Sequence, residues 1–139
     1  MAKSPEDSIK WCLKKAEEYL QSAQENIRAK RLFPAAEEIF RSVESTLEAF
    51  LYNFGVRKIE YPGERKKFTG RLALQFLIRD NLVRAGRLER ALYDKYLSLA
   101  TELHMASYQP NKTFDTEELK ENLRFAEDLL TKAKSIIMR

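Results

Sequence analysis

The sequence predicts an all-α fold, an antiparallel up-down-up-down bundle of about five helices, formed as a single domain over residues 1–139. Three observations predict it. Apolar residues recur at three- and four-residue spacing through long stretches, which is the signature of a buried helix face. No stretch alternates apolar and polar residues as a half-buried strand does. Glycine and proline, four of each, fall mostly where those stretches begin or end.

The first helix opens at Ser4-Pro5-Glu6-Asp7, with a hydroxyl cap, a proline in the first turn and two acids at the positive end of the helix dipole. Ile9, Cys12, Leu13, Ala16, Leu20, Ala23 and Ile27 form its seam, and the pattern stops near Lys30-Arg31. Pro34 restarts it. Ala36, Ile39, Phe40, Val43, Leu47, Phe50, Leu51 and Phe54 give the second helix the widest apolar face, so it is expected at the centre of the core, with Gly55 as its C-terminal stop. The connector Ile59-Glu60-Tyr61-Pro62-Gly63 has turn chemistry. A third helix is expected from about residue 65, carrying Phe68, Leu72, Phe76 and Ile78, weakened at Gly70 and ended by Gly86.

The fourth helix is expected to begin near Arg87. It carries two adjacent stripes. One is Leu88, Leu92, Tyr96, Leu99, Leu103 and Ala106; the other is Tyr93, Leu97, Ala100, His104 and Tyr108. Two stripes make a broad buried arc, so this helix is central or faces a partner chain. After the loop at Gln109-Pro110-Asn111, Asp115 or Thr116 caps a last helix with its seam at Leu119, Leu123, Ala126, Leu130, Ala133 and Ile137.

Composition narrows the chemistry. Cys12 is the only cysteine, so there is no intrachain disulfide, and a Lys-, Arg- and Glu-rich chain suits a reducing cytoplasm. Its apolar runs are too short for a bilayer and its N-terminal run lacks a signal-peptide core. The expectation is a cytoplasmic protein with no membrane partner. There is no Gly-rich phosphate loop, no zinc spacing and only one histidine, so neither a di-metal site nor any cofactor is expected.

His104 is therefore the only hub for histidine chemistry. Tyr108, one turn on, shares its face, whereas the adjacent Glu102 points elsewhere. Against this stands the plainer role of a hydrogen-bonded histidine in the core or in a dimer seam. The second feature is charge. From Arg57 to Arg90 there are ten basic residues against four acids, a net of +6, while the rest of the chain nets −2. Lys66, Lys67, Arg71, Arg87 and Arg90, with His104 and Tyr108, are the candidate ligand-binding residues for phosphates of RNA or a nucleotide. The plainer role of such a run is a solvated face.

Trp11 with Lys14-Lys15-Ala16-Glu17, and the alanine-rich start of the second helix leading to its aromatics, Pro34-Ala35-Ala36-Glu37-Glu38-Ile39-Phe40 through Ala49-Phe50, resemble the HEPN superfamily of small helical bundles. Leu103-His104 followed by Tyr108 is similar, more narrowly, to the small archaeal proteins of the PaREP type. In HEPN ribonucleases an arginine stands shortly upstream of a histidine near a dimer interface. Here it would fall at Leu97, Ser98 or Leu99, and Arg90 is too distant. The resemblance thus implies a non-catalytic binding module for a nucleotide, RNA or a protein partner such as a nucleotidyltransferase. The alternatives are an atypical ribonuclease using His104 and a structural or assembly protein. The apolar arcs, too wide for a single seam, lead to the expectation of a homodimer with its interface on the aromatic side of the second and fourth helices.

Overall fold

A computed structural model describes residues 5–57, 59–62 and 67–137, with side chains at all of these except 5, 61, 62, 67–69 and 107. The elements are helix α1 (Pro5–Arg28), helix α2 (Leu32–Asn53), the short strands β1 (Glu60–Pro62) and β2 (Lys67–Thr69), helix α3 (Gly70–Ile78), helix α4 (Arg90–Leu99) and helix α5 (Thr116–Ile137). A π-helical turn, Arg79–Val83, extends α3. Another, Ala100–His104, extends α4 and passes into a 3₁₀ turn, Met105–Tyr108.

Cross-helix hydrogen bonds fix the directions. Ser42 Oγ donates to the Ala16 carbonyl at 2.9 Å and Asn26 Nδ2 to Glu38 at 2.6 Å, so α1 and α2 are antiparallel. Gln24 with Glu127, and Lys134 with Glu17, set α5 antiparallel to α1. Glu44 with Tyr96, and Glu37 with His104, set α4 antiparallel to α2. Thus α1, α2, α4 and α5 form the expected up-down-up-down bundle, with α3 inserted between its second and third members.

α2 is the central helix, as its wide apolar face predicts. Ile39, Phe40, Val43, Leu47 and Leu51 are wholly buried, and the helix packs on α1, α3, α4 and α5. Its buried hydroxyls find acceptors inside the bundle: Ser45 on the Arg41 carbonyl and Thr46 on the Ser42 carbonyl, both at 2.9 Å. Gly55 ends the helix as expected. Its φ is +95°, and the bonds from Val56 N to Leu51 O and from Gly55 N to Tyr52 O close a Schellman cap. Asp115 caps α5 by accepting from the Glu118 backbone N–H at 3.1 Å. The Ser4 cap of α1 lies outside the described residues.

The structure departs from the sequence expectations around residues 60–70. β1 and β2 form an antiparallel pair with Tyr61 opposite Phe68, where a turn followed by helix was expected. Three-residue strands are too short to show alternation. Gly70, with φ +69°, turns the chain out of β2, so α3 begins there and not near residue 65. Likewise α4 begins at Arg90 rather than Arg87, although Leu88 still packs into the core. The aromatic side of α2 and α4 is covered within the chain itself: Phe40, Phe50, Tyr93 and Tyr96 are all buried. The broad arcs therefore reflect a helix surrounded by its own neighbours.

Cys12 and Glu48 meet between α1 and α2, with Sγ to Oε2 3.9 Å. Burial, then the nearby Glu48 charge, pushes the Cys12 thiol up to about 12, so it packs as a small hydrophobe. Burial also raises the Glu48 carboxyl above its ordinary 4.5, partly offset by Lys15. The folded state therefore holds this proton more tightly than the unfolded chain, and Glu48 costs stability increasingly as pH rises above 4.5. Glu48→Gln should raise Tm at about pH 7 and leave it nearly unchanged near pH 4, where both states are protonated. Melting curves of the two proteins at both pH values check this; an equal difference at each would contradict it.

Candidate functional site: a buried Glu–Arg–Glu–His cluster

The site grows from one face of α2. Glu37, Phe40 and Glu44 stand three and four residues apart, so they share a face, and that face looks toward α3 and α4. Tyr96 and His104 come from α4 and its π-helical extension. Arg71 is the second residue of α3, delivered by the turn at Gly70.

Arg71 joins the parts. Its Nε and Nη2 donate to the two carboxylate oxygens of Glu44 at 2.7 and 3.2 Å, a bidentate pair. Its Nη1 lies 2.9 Å from His104 Nε2. A guanidinium only donates, so Nε2 is the acceptor and the proton is on Nδ1. Nδ1–H then donates to the Glu37 carboxylate, 2.9 Å from both oxygens. Tyr96 Oη donates to Glu44 Oε2 at 2.9 Å. Phe40 is the floor: its ring stacks on Tyr96 at 5.9 Å and on His104 at 5.3 Å, and the Arg71 guanidinium lies 4.9 Å from its centroid.

The charges are matched. Glu44 is paired by Arg71, and Glu37 by Arg41 at 3.0 Å, while the neutral His104 ring adds a hydrogen bond to Glu37. The hydrogen bonds to Glu44 raise the Arg71 pKa, outweighing burial. Burial, reinforced by the Glu44 charge, pushes the Tyr96 hydroxyl well up, which keeps it a donor. Among the described residues no group of three or more His, Cys, Asp or Glu side chains is placed to hold a metal ion. Arg71 itself supplies the cation between Glu44 and His104.

The cluster reaches the surface at one edge. The Glu44 and Tyr96 side chains are buried, but a third of the Arg71 side chain, 33%, is exposed. Tyr108, 74% exposed, stands edge-on to His104 at 5.5 Å. Arg71 has five N–H donors. Three are engaged by Glu44 and His104, which leaves two for a ligand.

Of the sequence candidates, the structure brings together His104, Tyr108 and Arg71. It places the others differently. The Arg87 guanidinium covers the Phe54 ring at 4.5 Å, and Arg90 lies 3.9 Å from Asp94, one turn along α4. Arg79 and Arg84 both pair with Asp80. Lys66 is outside the described residues, and Lys67 is described only as backbone of β2. Glu102 does turn away from His104, accepting from Ser98 Oγ at 2.9 Å. The partners of His104 proved to be Glu37 and Arg71, on two other helices, rather than residues of its own helix alone. Glu44 was missed altogether. A signal existed: residues 40, 44, 47 and 51 fall within one narrow arc of the helical wheel, so Glu44 is a carboxylate embedded in an apolar face.

A family model, the archaeal PaREP1/PaREP8 family, matches residues 12–130. The chain belongs to the archaeal PaREP1/PaREP8 family. No curated protein and no solved structure gives a significant match. The match takes in every member of the cluster, from Glu37 on α2 to Tyr108, so this PaREP1/PaREP8 chain carries its site inside the family region. None of the described helices is long and apolar enough to cross a membrane.

Proposed function

We propose that this protein is a HEPN-like, non-catalytic binding module that takes the phosphate of an RNA or nucleotide at the Arg71–Tyr108 edge. One observation carries the reading: Arg71, a third exposed, keeps two donors where it meets His104, whose ring the exposed Tyr108 also touches. Arginine suits bidentate phosphate contact, and Tyr108 offers a face on which a base can stack. Both ring nitrogens of His104 are already held, Nε2 by Arg71 and Nδ1 by Glu37. That arrangement orients the arginine more readily than it frees a base.

Arg71→Ala should weaken binding of a short single-stranded RNA or a nucleotide by about tenfold at low salt, as loss of a charged phosphate contact implies. Tyr108→Ala should weaken it by less, with no change in fold. Anisotropy titrations measure both. Equal affinities for wild type and Arg71→Ala would reject the reading.

A second reading is favoured by one distance. The arginine absent from positions 97–99 is supplied in space by Arg71, 2.9 Å from His104, so the arginine–histidine pair of the resembling ribonucleases is rebuilt from two helices. RNA cleavage by the purified protein, lost in His104→Ala, would establish that reading and displace the first. The homodimer belongs to the proposal as well: Leu72 and Met105, the chain neighbours of Arg71 and His104, are exposed apolar side chains that a second copy or a nucleotidyltransferase would cover. A monomer mass by light scattering at micromolar concentration would remove the dimer.

A further inference from the structure

A second polar site lies away from this edge, between α4 with its π-helical extension and the first turns of α5. Two hollows of about 270 and 90 Å³ share Glu102, Glu118 and Asn122. Glu121 lines the larger and Asp115 the smaller. Glu118 also faces the positive end of the α5 dipole, but Glu102 and Glu121 have no such role, and Glu121 has no ion pair among the described residues. Each hollow also holds one lysine, Lys95 in the larger and Lys112 in the smaller, so the acids outnumber the bases by four to two. This excess of negative charge sits on a chain whose net charge is +4.

Asn122 makes this more than a patch of acids. It is 8% exposed, yet its side-chain amide has no hydrogen-bond partner among the described residues. Buried amides are normally paired. Among the described residues no fully buried side-chain polar atom lacks a partner, so the amide of Asn122 opens into the trough that it lines. Its oxygen and the carboxylates together present acceptors along the trough to a ligand made of donors.

We infer that this trough binds a linear polyamine, a chain of protonated amines separated by short methylene spacers. A metal ion is a poor fit, because among the described residues the carboxylates do not converge as a ligand set. An anion is repelled. A single ammonium would engage only part of a lining that spans both hollows, with Glu121 in the larger, Asp115 in the smaller and Glu102, Glu118 and Asn122 common to the two, whereas a flexible polycation can meet several of these acceptors at once.

Calorimetric titration of the full chain with spermidine, propylamine and Mg²⁺ at matched ionic strength tests this. Spermidine should bind at least about tenfold more tightly than either control. The surface double variant Glu102→Gln/Glu121→Gln should lose about tenfold of that affinity, and Lys95→Gln, which removes a competing cation, should gain some. The inference is overturned if spermidine binds no better than propylamine or Mg²⁺, or if the double variant binds it as wild type does. Lys95→Gln provides an independent check should the double variant fold poorly: unchanged or weaker binding counts against the trough.

Discussion

Glu44→Ala should lower the stability of the protein by about 3 kcal/mol, the range expected when one partner of a buried ion pair is removed. The substitution strips two acceptor oxygens from Arg71 and one from the buried Tyr96 hydroxyl. Arg71 recovers part of its loss by hydration, because a third of it is exposed. Tyr96 is wholly buried, so water cannot replace the acceptor that it loses. For a chain of this length the loss corresponds to a fall in Tm of roughly 10 °C. Arg71→Ala should cost less, and the double variant should cost less than the two singles summed, since the pair acts as a unit. Thermal and urea melts of the four proteins close this cycle. A Glu44→Ala Tm within about 2 °C of wild type would mean that the carboxylate carries none of the packing assigned to it.

Phe40→Ala should have the largest effect, a loss of about 3–5 kcal/mol. Phe40 is wholly buried and central. Its ring is also the surface on which Tyr96, His104 and Arg71 are laid, so the cavity left behind removes their common support. Phe50, three turns further along α2, is as deeply buried but has no part in the cluster. Phe50→Ala should destabilise comparably while leaving RNA or nucleotide affinity unchanged in the folded fraction, whereas Phe40→Ala should weaken both. Melts paired with binding titrations at a temperature where each variant is folded separate the two roles. Equal effects of both variants on affinity would deny Phe40 its positioning part.

The bundle was legible because its helices are long, and each carries its apolar residues at one spacing. The stops were legible too: Gly55 and Asp115 do what their residue types predict. The hairpin at Glu60–Pro62 and Lys67–Thr69 was not, since its strands are shorter than any periodicity that could reveal them. The π-helical turn at Ala100–His104 likewise leaves no mark on a stripe read at 3.6 residues per turn.

The site was half legible. His104, Tyr108 and Arg71 stood out by residue type. Their assembly depends on where α3 crosses α2 and α4, which no local pattern encodes. Glu37 was visible only as half of a carboxylate pair with Glu38, and Glu44 was missed although its place in an apolar arc was a signal. The ten basic residues from Arg57 to Arg90 stand out in sequence as a local excess of positive charge, which by itself does not say whether they share a face. In the structure Arg79 and Arg84 attend Asp80, Arg87 covers Phe54 and Arg71 is turned toward Glu44.

The most direct test of the central claim is an anisotropy titration of a short, fluorescently labelled single-stranded RNA with wild type and Arg71→Ala at low salt, the RNA remaining intact throughout. Tighter binding by wild type, by about tenfold, is the predicted result. Identical isotherms for the two proteins would contradict it.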